Sequence, residues 1–144
     1  MAKMCPFCNL VASRELIFTG ISTVAFLSNP RLMRGHVLLA PKRHVERLSE
    51  LTDEERHELI DIAARVETII LDQLAKGCDL RLHYRPFQKE DGIKVNHLHL
   101  HVQPRELFDD LYQKSQKFET ALYRPLPLAE QHRFEKLFRD ILNM

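Results

Sequence analysis

The stretch NHLHLHVQPR, residues 96–105, places three histidines at strict two-residue spacing with apolar residues between them. Successive side chains of a β-strand point to opposite faces of its sheet. The alternation therefore predicts a half-buried strand that presents His97, His99 and His101 on one face. The residues predicted to enter the core from the other face are Leu98, Leu100 and Val102.

The spacing along such a strand limits what the three imidazoles can do together. Neighbouring histidines would lie roughly 6.5–7 Å apart, and the outer two about 13 Å apart. A tetrahedral zinc with bonds of about 2 Å cannot contact all three rings, so at least one ring has another role. Close basic rings also disfavour each other's protons, which favours a neutral ring near neutral pH. A neutral imidazole is a competent nucleophile, and a neighbour that keeps its proton can act as a general acid.

The rest of the chain predicts an α+β fold. Strands are predicted on either side of Gly20, at residues 15–19 and 23–27, and a further strand at residues 36–40. A capping box at Thr52 and Glu55 begins a helix whose apolar periodicity continues to about residue 76. Another strand is predicted from the alternation of Leu80, Leu82 and Tyr84, and a last amphipathic helix at about residues 128–142. We expect an antiparallel sheet of about five strands packed against one long helix, with a C-terminal helix.

The composition is that of an ordinary globular protein. With 144 residues, 44% of them hydrophobic and 28% charged, the chain is expected to form a single domain over residues 1–144. The net charge of +1 gives no global reason to expect a nucleic-acid or membrane partner, and no apolar run approaches the ~18 residues of a membrane span. The opening residues MAKMCPFC lack the apolar core of a signal peptide. Three cysteines, an odd number, argue against a disulfide framework and favour the cytoplasm.

A second motif lies upstream of the histidines. Residues 35–45 read GHVLLAPKRHV, and the predicted long helix separates them from residues 96–105. HLHLHV resembles the His-φ-His-φ-His-φ-φ signature of the histidine triad (HIT) superfamily of nucleotide hydrolases and transferases, in which φ is an apolar residue. GHVLLAPKRHV resembles that family's GHxLhxPKxH segment. The resemblance extends over about residues 5–105 and implies a HIT-like α+β homodimer in which the sheets of the two subunits join.

The resemblance also implies a mechanism and a substrate class. His99 would attack the α-phosphorus of a dinucleoside polyphosphate or a nucleoside phosphoramidate and form a nucleotidyl-histidine intermediate. His101 would contact the phosphate or its leaving group, and His36 would help to orient the site. The implied product is a purine mononucleotide. In the family the nucleoside lies near the positions of Ser28 and Asn29, either of which could bind a ribose hydroxyl; a plain turn there is an equal alternative.

Three positions depart from the family's pattern and bear on the substrate. Gly-Ile-Lys at residues 92–94 stands where the family has Gly-Gln-Ser/Thr, so Lys94 could meet phosphate as a point charge or be solvated. Gln88 is predicted to take the place of the polar residue of the preceding strand, and Gln103 occupies the last apolar position of the signature. A basic rim flanks the predicted site and either attracts a polyphosphate or is simply solvated: Arg31, Arg34, Lys42 and Arg43.

Cys5 and Cys8 form a CxxC pair, which is half of a common four-ligand zinc site and a weak signal alone. The redox alternative places this motif between a strand and a helix, whereas here no strand is predicted before it. Family members that begin with such a pair hold zinc with two histidines. The resemblance therefore implies a zinc-binding N-terminus at residues 1–10, with His44 and His97 as the other ligands. A closed four-ligand site leaves no position for water, so this zinc would be structural.

Two other functions remain open at the level of sequence. One is a metal-dependent hydrolase in which His97 and His99 bind a catalytic metal; it lacks recognisable further ligands, and its barrel version needs about 250 residues. The other is a non-catalytic nucleotide-binding protein that keeps the fold. The departures at Ile93, Lys94 and Gln103 leave room for it, while the retention of all three histidines argues against it. The tail at residues 106–144, the part that varies most within the family, is expected either to reach a neighbouring active site or to cap the sheet.

Overall fold

A five-stranded antiparallel sheet with one long helix on its face confirms the α+β prediction. The computed structural model describes residues 4–10 and 16–144. The strand order of the sheet is β1-β2-β3-β5-β4. Its strands are β1 (Phe18–Thr19), β2 (Thr23–Leu27), β3 (Val37–Pro41), β4 (Gly77–Leu82) and β5 (Leu100–Arg105). The α-helices are α1 (Asp53–Gln73), α2 (Asp110–Lys114) and α3 (Leu128–Leu142), with 3₁₀ helices at Leu48–Glu50 and Gln116–Leu122.

Three predicted elements have different ends in the structure. Of the predicted strand 15–19, residue 15 lies outside the described residues, and β1 consists of Phe18 and Thr19, although the Ile17 N–H also donates to the Ala25 carbonyl of β2 at 2.9 Å. The long helix stops at Gln73, three residues before the predicted end, because β4 already begins at Gly77. Tyr84 follows β4 instead of belonging to it and is half exposed.

The three histidines do not share one strand, so that prediction was wrong in part. β5 begins at Leu100, which leaves His97 and His99 in the segment before it. This segment leaves the sheet because the Leu98 N–H donates to the carbonyl oxygen of Val45, at 2.7 Å, in the loop after β3. The alternation nevertheless persists, and the three apolar residues between and after the histidines are buried as predicted: Leu98, Leu100 and Val102.

Helix α1 begins at the predicted capping box. The Thr52 hydroxyl accepts the Glu55 N–H at 3.2 Å, and the Glu55 carboxylate accepts the Thr52 N–H at 2.8 Å. These bonds satisfy donors that the first turn of a helix otherwise leaves without partners. The helix buries one face against the sheet through Leu59, Ile62, Ala63 and Ile70.

Loss of this cap should destabilise the fold by a small, measurable amount. We expect Thr52→Ala to lower the free energy of unfolding by about 1 kcal/mol, because the Glu55 amide loses its acceptor. Urea unfolding of the two proteins measures the difference. Thr68→Ala is the matched control, since Thr68 is an exposed residue in the middle of the same helix and its hydroxyl donates to the Ala64 carbonyl. Equal losses in the two variants would contradict a specific role for the cap.

The two faces of the sheet are covered differently, and this difference positions the histidines. The face toward α1 carries a continuous apolar core that includes Ala25, Leu39 and Val102. Among residues 4–10 and 16–144, the cover of the opposite face lies near β2 and β3, where Phe7 and Leu10 of the N-terminal segment pack on it. The described residues leave a cavity on this second face toward β4 and β5, and the alternation of β5 turns His101 and Gln103 toward it.

The C-terminal part is mostly exposed. Helix α3 forms over the predicted residues, and none of its side chains is buried. Its apolar residues Phe134, Leu137, Phe138 and Ile141 are between 40% and 61% exposed. Within residues 4–10 and 16–144, no helix combines the length and apolar character that crossing a membrane requires.

Candidate active site

A cavity of about 410 Å³ lies on the sheet face opposite α1, beside β4 and β5, and histidines line it. His97, His99, His101 and Gln103 line it from the β5 side. Residues of β4 and of the loop after β4 line the opposite wall. A cavity of this size is within the range of small-molecule sites.

The hydrogen bond of His99 fixes which of its nitrogens is available. Its Nδ1 lies 2.7 Å from the carbonyl oxygen of His97. A carbonyl oxygen can only accept, so Nδ1 carries the proton and donates, and the lone pair of the neutral ring is on Nε2. Burial lowers the pKa of His99, and the bond to the His97 carbonyl opposes that shift in part. The site therefore holds a neutral imidazole with a bare Nε2, the form that can attack an electrophile.

A relay of hydrogen bonds fixes the proton on His101 in the same way. The Leu32 N–H donates to Nδ1 of His36 at 3.2 Å, so the proton of the neutral His36 ring is on Nε2. That Nε2 lies 2.9 Å from Nδ1 of His101 and donates to it. The remaining proton of His101 is therefore on its Nε2. The His99 and His101 rings are 4.9 Å apart, centroid to centroid, so a ring with a bare Nε2 lies next to a ring with a protonated Nε2.

Burial is the main reason why these rings are neutral. It lowers the pKa of His36 to about 4, with smaller contributions from His99 and Arg81. It lowers the pKa of His101 to about 3, helped by the neighbouring rings of His99, His36 and His83. The repulsion between rings expected from the sequence is present, but it is the second cause.

Because His36 and His101 stay neutral in the folded protein, stability should fall as the pH is lowered. Unfolded histidines take up protons below about 6.5, whereas the folded rings do so only near 4 and 3. Between these values the unfolded state binds more protons, so each ring reduces stability by up to about 1.4 kcal/mol per pH unit. Urea unfolding between about pH 7 and about pH 5 measures this slope.

Two variants test whether the dependence of stability on pH comes from the buried histidines. A Cys5→Ser, Cys8→Ser background removes any contribution from metal release at low pH. In that background we expect His36→Asn to flatten the slope, while His132→Asn, at an exposed position of α3, leaves it unchanged. A stability that does not depend on pH over this range would contradict the assignment of neutral buried rings.

Cys5, Cys8, His44 and His97 meet in one cluster, and one ligand atom from each lies within 4.8 Å of the others. The Sγ-to-Nδ1 distances are 3.2 Å for Cys8 and His44, 3.4 Å for Cys5 and His97, and 3.6 Å for Cys8 and His97. Bonds of about 2.3 Å to sulfur and about 2.0 Å to nitrogen at tetrahedral angles give a sulfur–nitrogen separation of about 3.5 Å. The four residues therefore fit a single tetrahedral metal ion.

The other nitrogen of His97 supports this fit. Its Nε2 lies 2.8 Å from the carbonyl oxygen of Pro41 and must donate to it. The Nδ1 that faces both cysteines is then unprotonated, as metal binding requires. Such a backbone partner is the usual support of a metal-ligating histidine.

Phe7 connects this cluster to the cavity. It lies between the two cysteines in sequence, and its ring packs edge-on against Phe26 at 5.3 Å and against His99 at 5.2 Å. The same ring is 6.0 Å from His97. A metal held by Cys5 and Cys8 would thus fix the aromatic ring that supports His99.

The residues predicted to bind substrate fall into two groups. Gln88, Lys94 and Gln103 line the cavity, and Ser28 and Asn29 are not among its lining residues. The Ser28 hydroxyl donates instead to the Pro30 carbonyl at 2.8 Å, as the turn alternative predicted.

Lys94 and Gln103 are both held by protein contacts. The Lys94 ammonium donates to the carbonyl oxygens of Arg85 and Gln88 and so closes the loop after β4. Gln103 is 1% exposed, and its amide lies 3.4 Å from Nε2 of His36. Its Oε1 is buried with no hydrogen-bond partner among the described residues, whereas buried polar atoms are usually bonded. The structure therefore shows no compensation for the polar residue that stands where the family pattern has an apolar one.

The cavity residues that were not predicted from the sequence include three basic side chains: Arg81, His83 and Arg85. The His83 ring is 5.5 Å from that of His101. The signal was present, because the alternation of Leu80 and Leu82 along the predicted strand turns Arg81 and His83 to the other face, which is that of the histidines. The basic residues predicted at the rim do not line this cavity. Arg43, for example, pairs with Glu55 at 2.8 Å.

Comparison with known proteins identifies relatives in sequence. Residues 9–107 match the family model described as HIT domain. A bis(5'-adenosyl)-triphosphatase of Dictyostelium discoideum is 32% identical over 100 residues, which are 69% of this chain and 66% of that protein. An adenosine 5'-monophosphoramidase of Saccharomyces cerevisiae is 32% identical over 107 residues, which are 70% of this chain and 62% of that protein. The match thus spans just under two thirds of either relative.

Solved structures have the same fold. A HIT family protein from Bacillus anthracis superposes with a TM-score of 0.74 at 21% identity, over 97% of this chain and 98% of that one. A zinc-bound histidine triad family protein from Mycobacterium smegmatis gives a TM-score of 0.62 at 27% identity, over 74% of this chain and 78% of that one. Together with the match over residues 9–107, these similarities show that the chain belongs to the histidine triad (HIT) family.

Proposed function

We propose that this protein is a nucleotide hydrolase or transferase that cleaves at the α-phosphate of a dinucleoside polyphosphate or a nucleoside phosphoramidate. The observation that carries the proposal is the neutral His99 ring with its bare Nε2, beside a protonated Nε2 on His101. Relatives named as a triphosphatase and as a phosphoramidase support nucleotide hydrolysis as the general activity.

In the first step the His99 lone pair attacks the α-phosphorus. A bond forms between Nε2 and phosphorus, and the bond from phosphorus to the leaving oxygen or nitrogen breaks, its electron pair departing with the leaving group. The Nε2–H of His101 donates a hydrogen bond to the phosphate or to the departing atom, and the ring keeps its proton. The buried, neutral state of His99 favours attack, because no proton has to be removed first.

In the second step water attacks the nucleotidyl-histidine. A new bond forms between oxygen and phosphorus, and the electron pair of the phosphorus–nitrogen bond returns to Nε2 of His99. The proton released by water passes to the bulk through the neighbouring imidazoles. The product is a nucleoside monophosphate, and an acceptor other than water would make the protein a transferase.

The relay behind His101 serves orientation. His36 accepts a hydrogen bond from the Leu32 N–H at Nδ1 and donates one from its Nε2–H to Nδ1 of His101. These two bonds fix the tautomer of the His101 ring. Gln88 and Gln103 supply polar groups at the cavity, and Lys94 holds the loop that carries Gln88. For Ser28 and Asn29 both expected roles stand, a ribose contact or a turn before β3, and the bond from the Ser28 hydroxyl to the Pro30 carbonyl favours the turn.

We propose that Cys5, Cys8, His44 and His97 bind a structural zinc. The cysteine thiolates and neutral histidines form the donor set that zinc prefers, and the three sulfur–nitrogen distances match tetrahedral coordination. When bound, the metal supplies a cross-link between the N-terminal segment and the strand that follows His97. The alternative of a catalytic metal on His97 and His99 is not supported, because the described metal-binding cluster does not include His99.

The partners follow from the same proposal. The substrate is a nucleotide, and we propose that the protein is a cytoplasmic homodimer, as its family resemblance implies. A reducing compartment would keep the thiols of Cys5 and Cys8 available for the metal. Light scattering of the purified protein would show a mass of about twice 16.9 kDa if the dimer forms.

Turnover with isotopically labelled water tests the proposed reaction. Diadenosine triphosphate and adenosine phosphoramidate would each be supplied in water enriched in oxygen-18. We expect adenosine monophosphate from at least one substrate, with a single labelled oxygen on its phosphate, because the second step forms a bond between water oxygen and the α-phosphorus. Absence of turnover with both substrates would refute the proposal.

A further inference from the structure

One wall of the cavity carries positive charge that the proposed mechanism does not use. Arg81 and Arg85 carry that charge on a wall formed by β4 and the residues after it, and between them lies His83, whose pKa is lowered by burial and by the two arginines. Across residues 4–10 and 16–144, neither the Arg81 nor the Arg85 guanidinium has a hydrogen-bond or ion-pair partner. Other arginines are neutralised: Arg43 pairs with Glu55, and Arg105 pairs with Asp109 at 2.8 Å.

This wall lies next to the residue that faces the leaving group. Arg81 is directly opposite His101 in the pairing of β4 with β5. Directly opposed residues in antiparallel strands have Cβ atoms about 5 Å apart. The His83 ring contacts the His101 ring at 5.5 Å. The Arg81 charge is close enough to contribute to the low pKa of His101, after burial and the neighbouring rings.

Nearby acidic groups do not cancel the charge. Asp79 precedes Arg81 by two residues on the same face, but its carboxylate is bound to Arg105. Among the described lining residues, Glu46 supplies the carboxylate. Lys94 adds a further positive charge to the lining, and carbonyl oxygens bind its ammonium group. The wall therefore presents two guanidinium groups to the cavity, and guanidinium groups are well suited to bidentate binding of phosphate.

We propose that Arg81, His83 and Arg85 form the subsite for the departing phosphates, so that this protein prefers dinucleoside polyphosphates to nucleoside phosphoramidates. The inference rests on the proposed function and names its substrate class. When the bond between the α-phosphorus and the bridging oxygen breaks, the oxygen keeps the electron pair and the departing polyphosphate gains one negative charge. Fixed guanidinium groups stabilise that charge. An amine leaving group needs a proton instead and would gain nothing from them.

Kinetics on the two substrate classes test the inference. We would measure kcat/KM for diadenosine triphosphate and adenosine phosphoramidate in wild type and in Arg81→Gln, Arg85→Gln and the double variant. Arg65→Gln is the control of equal charge, since Arg65 lies on α1 over the Phe18 ring and lines no part of the cavity. Arg81→Lys tests whether charge alone restores activity. Thermal unfolding of every variant shows whether it is folded.

The expected result is selective. The wild type should prefer the polyphosphate, and the double variant should lose between about tenfold and a hundredfold in kcat/KM for it, the range expected for charge-assisted hydrogen bonds. Its activity on the phosphoramidate should change by less than about threefold. Arg65→Gln should act like wild type on both substrates, and Arg81→Lys should recover part of the loss.

Other outcomes separate the two claims. Equal losses on both substrates, or no loss on the polyphosphate, would overturn the subsite while leaving the proposed function intact. No turnover of either substrate by the wild type would remove the proposed function and the leaving-group role with it. Calorimetric titration with inorganic tripolyphosphate gives a test that needs no turnover. The wild type should bind it at least about tenfold more tightly than the double variant, and equal affinities would overturn the subsite.

Discussion

Replacing His99 by alanine is expected to reduce kcat/KM by at least about a thousandfold on whichever nucleotide substrate the wild type cleaves, because the variant lacks the nitrogen that bonds to phosphorus. The fold should survive this change. His99 contacts the protein through one hydrogen bond to the His97 carbonyl and through ring packing on Phe7 and His101. Substrate binding should remain, since the rest of the cavity wall is unchanged.

The comparison needs a histidine that lies outside the site. His132→Ala changes an exposed residue on α3 and should retain wild-type turnover. Single-turnover measurements would separate slow chemistry from slow product release. A His99→Ala protein that is folded and retains more than about a tenth of the wild-type rate would exclude His99 as the nucleophile.

Removing both cysteine ligands should cost the protein its metal and a large part of its stability. In a Cys5→Ser, Cys8→Ser variant we expect the zinc content to fall from about one per chain to near zero. Structural zinc sites contribute folding free energy directly. A loss of about 4 kcal/mol would lower the melting temperature by about 10 °C in a domain of this size. The N-terminal segment would then no longer be tied to His44 and His97.

Metal analysis and thermal unfolding of freshly purified, reduced protein measure both effects. Cys78→Ser is the control, because Cys78 is half buried beside the core and lies outside the four-residue cluster. It should keep the metal. Wild-type protein without zinc, or a double variant with the same metal content and melting temperature, would contradict the metal assignment without affecting the role proposed for His99.

Much of the fold could be predicted because local signals and burial agree. The capping box at Thr52 begins α1 where expected, and the leucines between the histidines are buried. The cluster of cysteines and histidines joins residues 5 and 8 to residues 44 and 97, and a family resemblance was needed to connect positions so distant in sequence.

The features that were missed depend on tertiary contacts. The Leu98 N–H bonds to the Val45 carbonyl in a loop far away in sequence, and this contact shortens β5. The apolar periodicity of the sequence does not reveal such a long-range contact. The cationic wall was missed because the alternation of Leu80, Leu82 and Tyr84 was interpreted only for its apolar face. The pairing of β4 with β5 decides which residues face His101, and it places Arg81 there. The basic residues near the GHVLLAPKRHV motif also failed to predict which charges line the cavity, since Arg43 forms an ion pair with Glu55.

Mass spectrometry of the protein quenched during turnover, without acid, tests the central claim most directly. The proposed mechanism predicts a nucleotidyl adduct in the wild type, located on His99 by peptide fragmentation and absent from the His99→Ala variant. A wild-type protein that turns over substrate with no adduct at any time, or with an adduct on another residue, would contradict nucleophilic attack by His99.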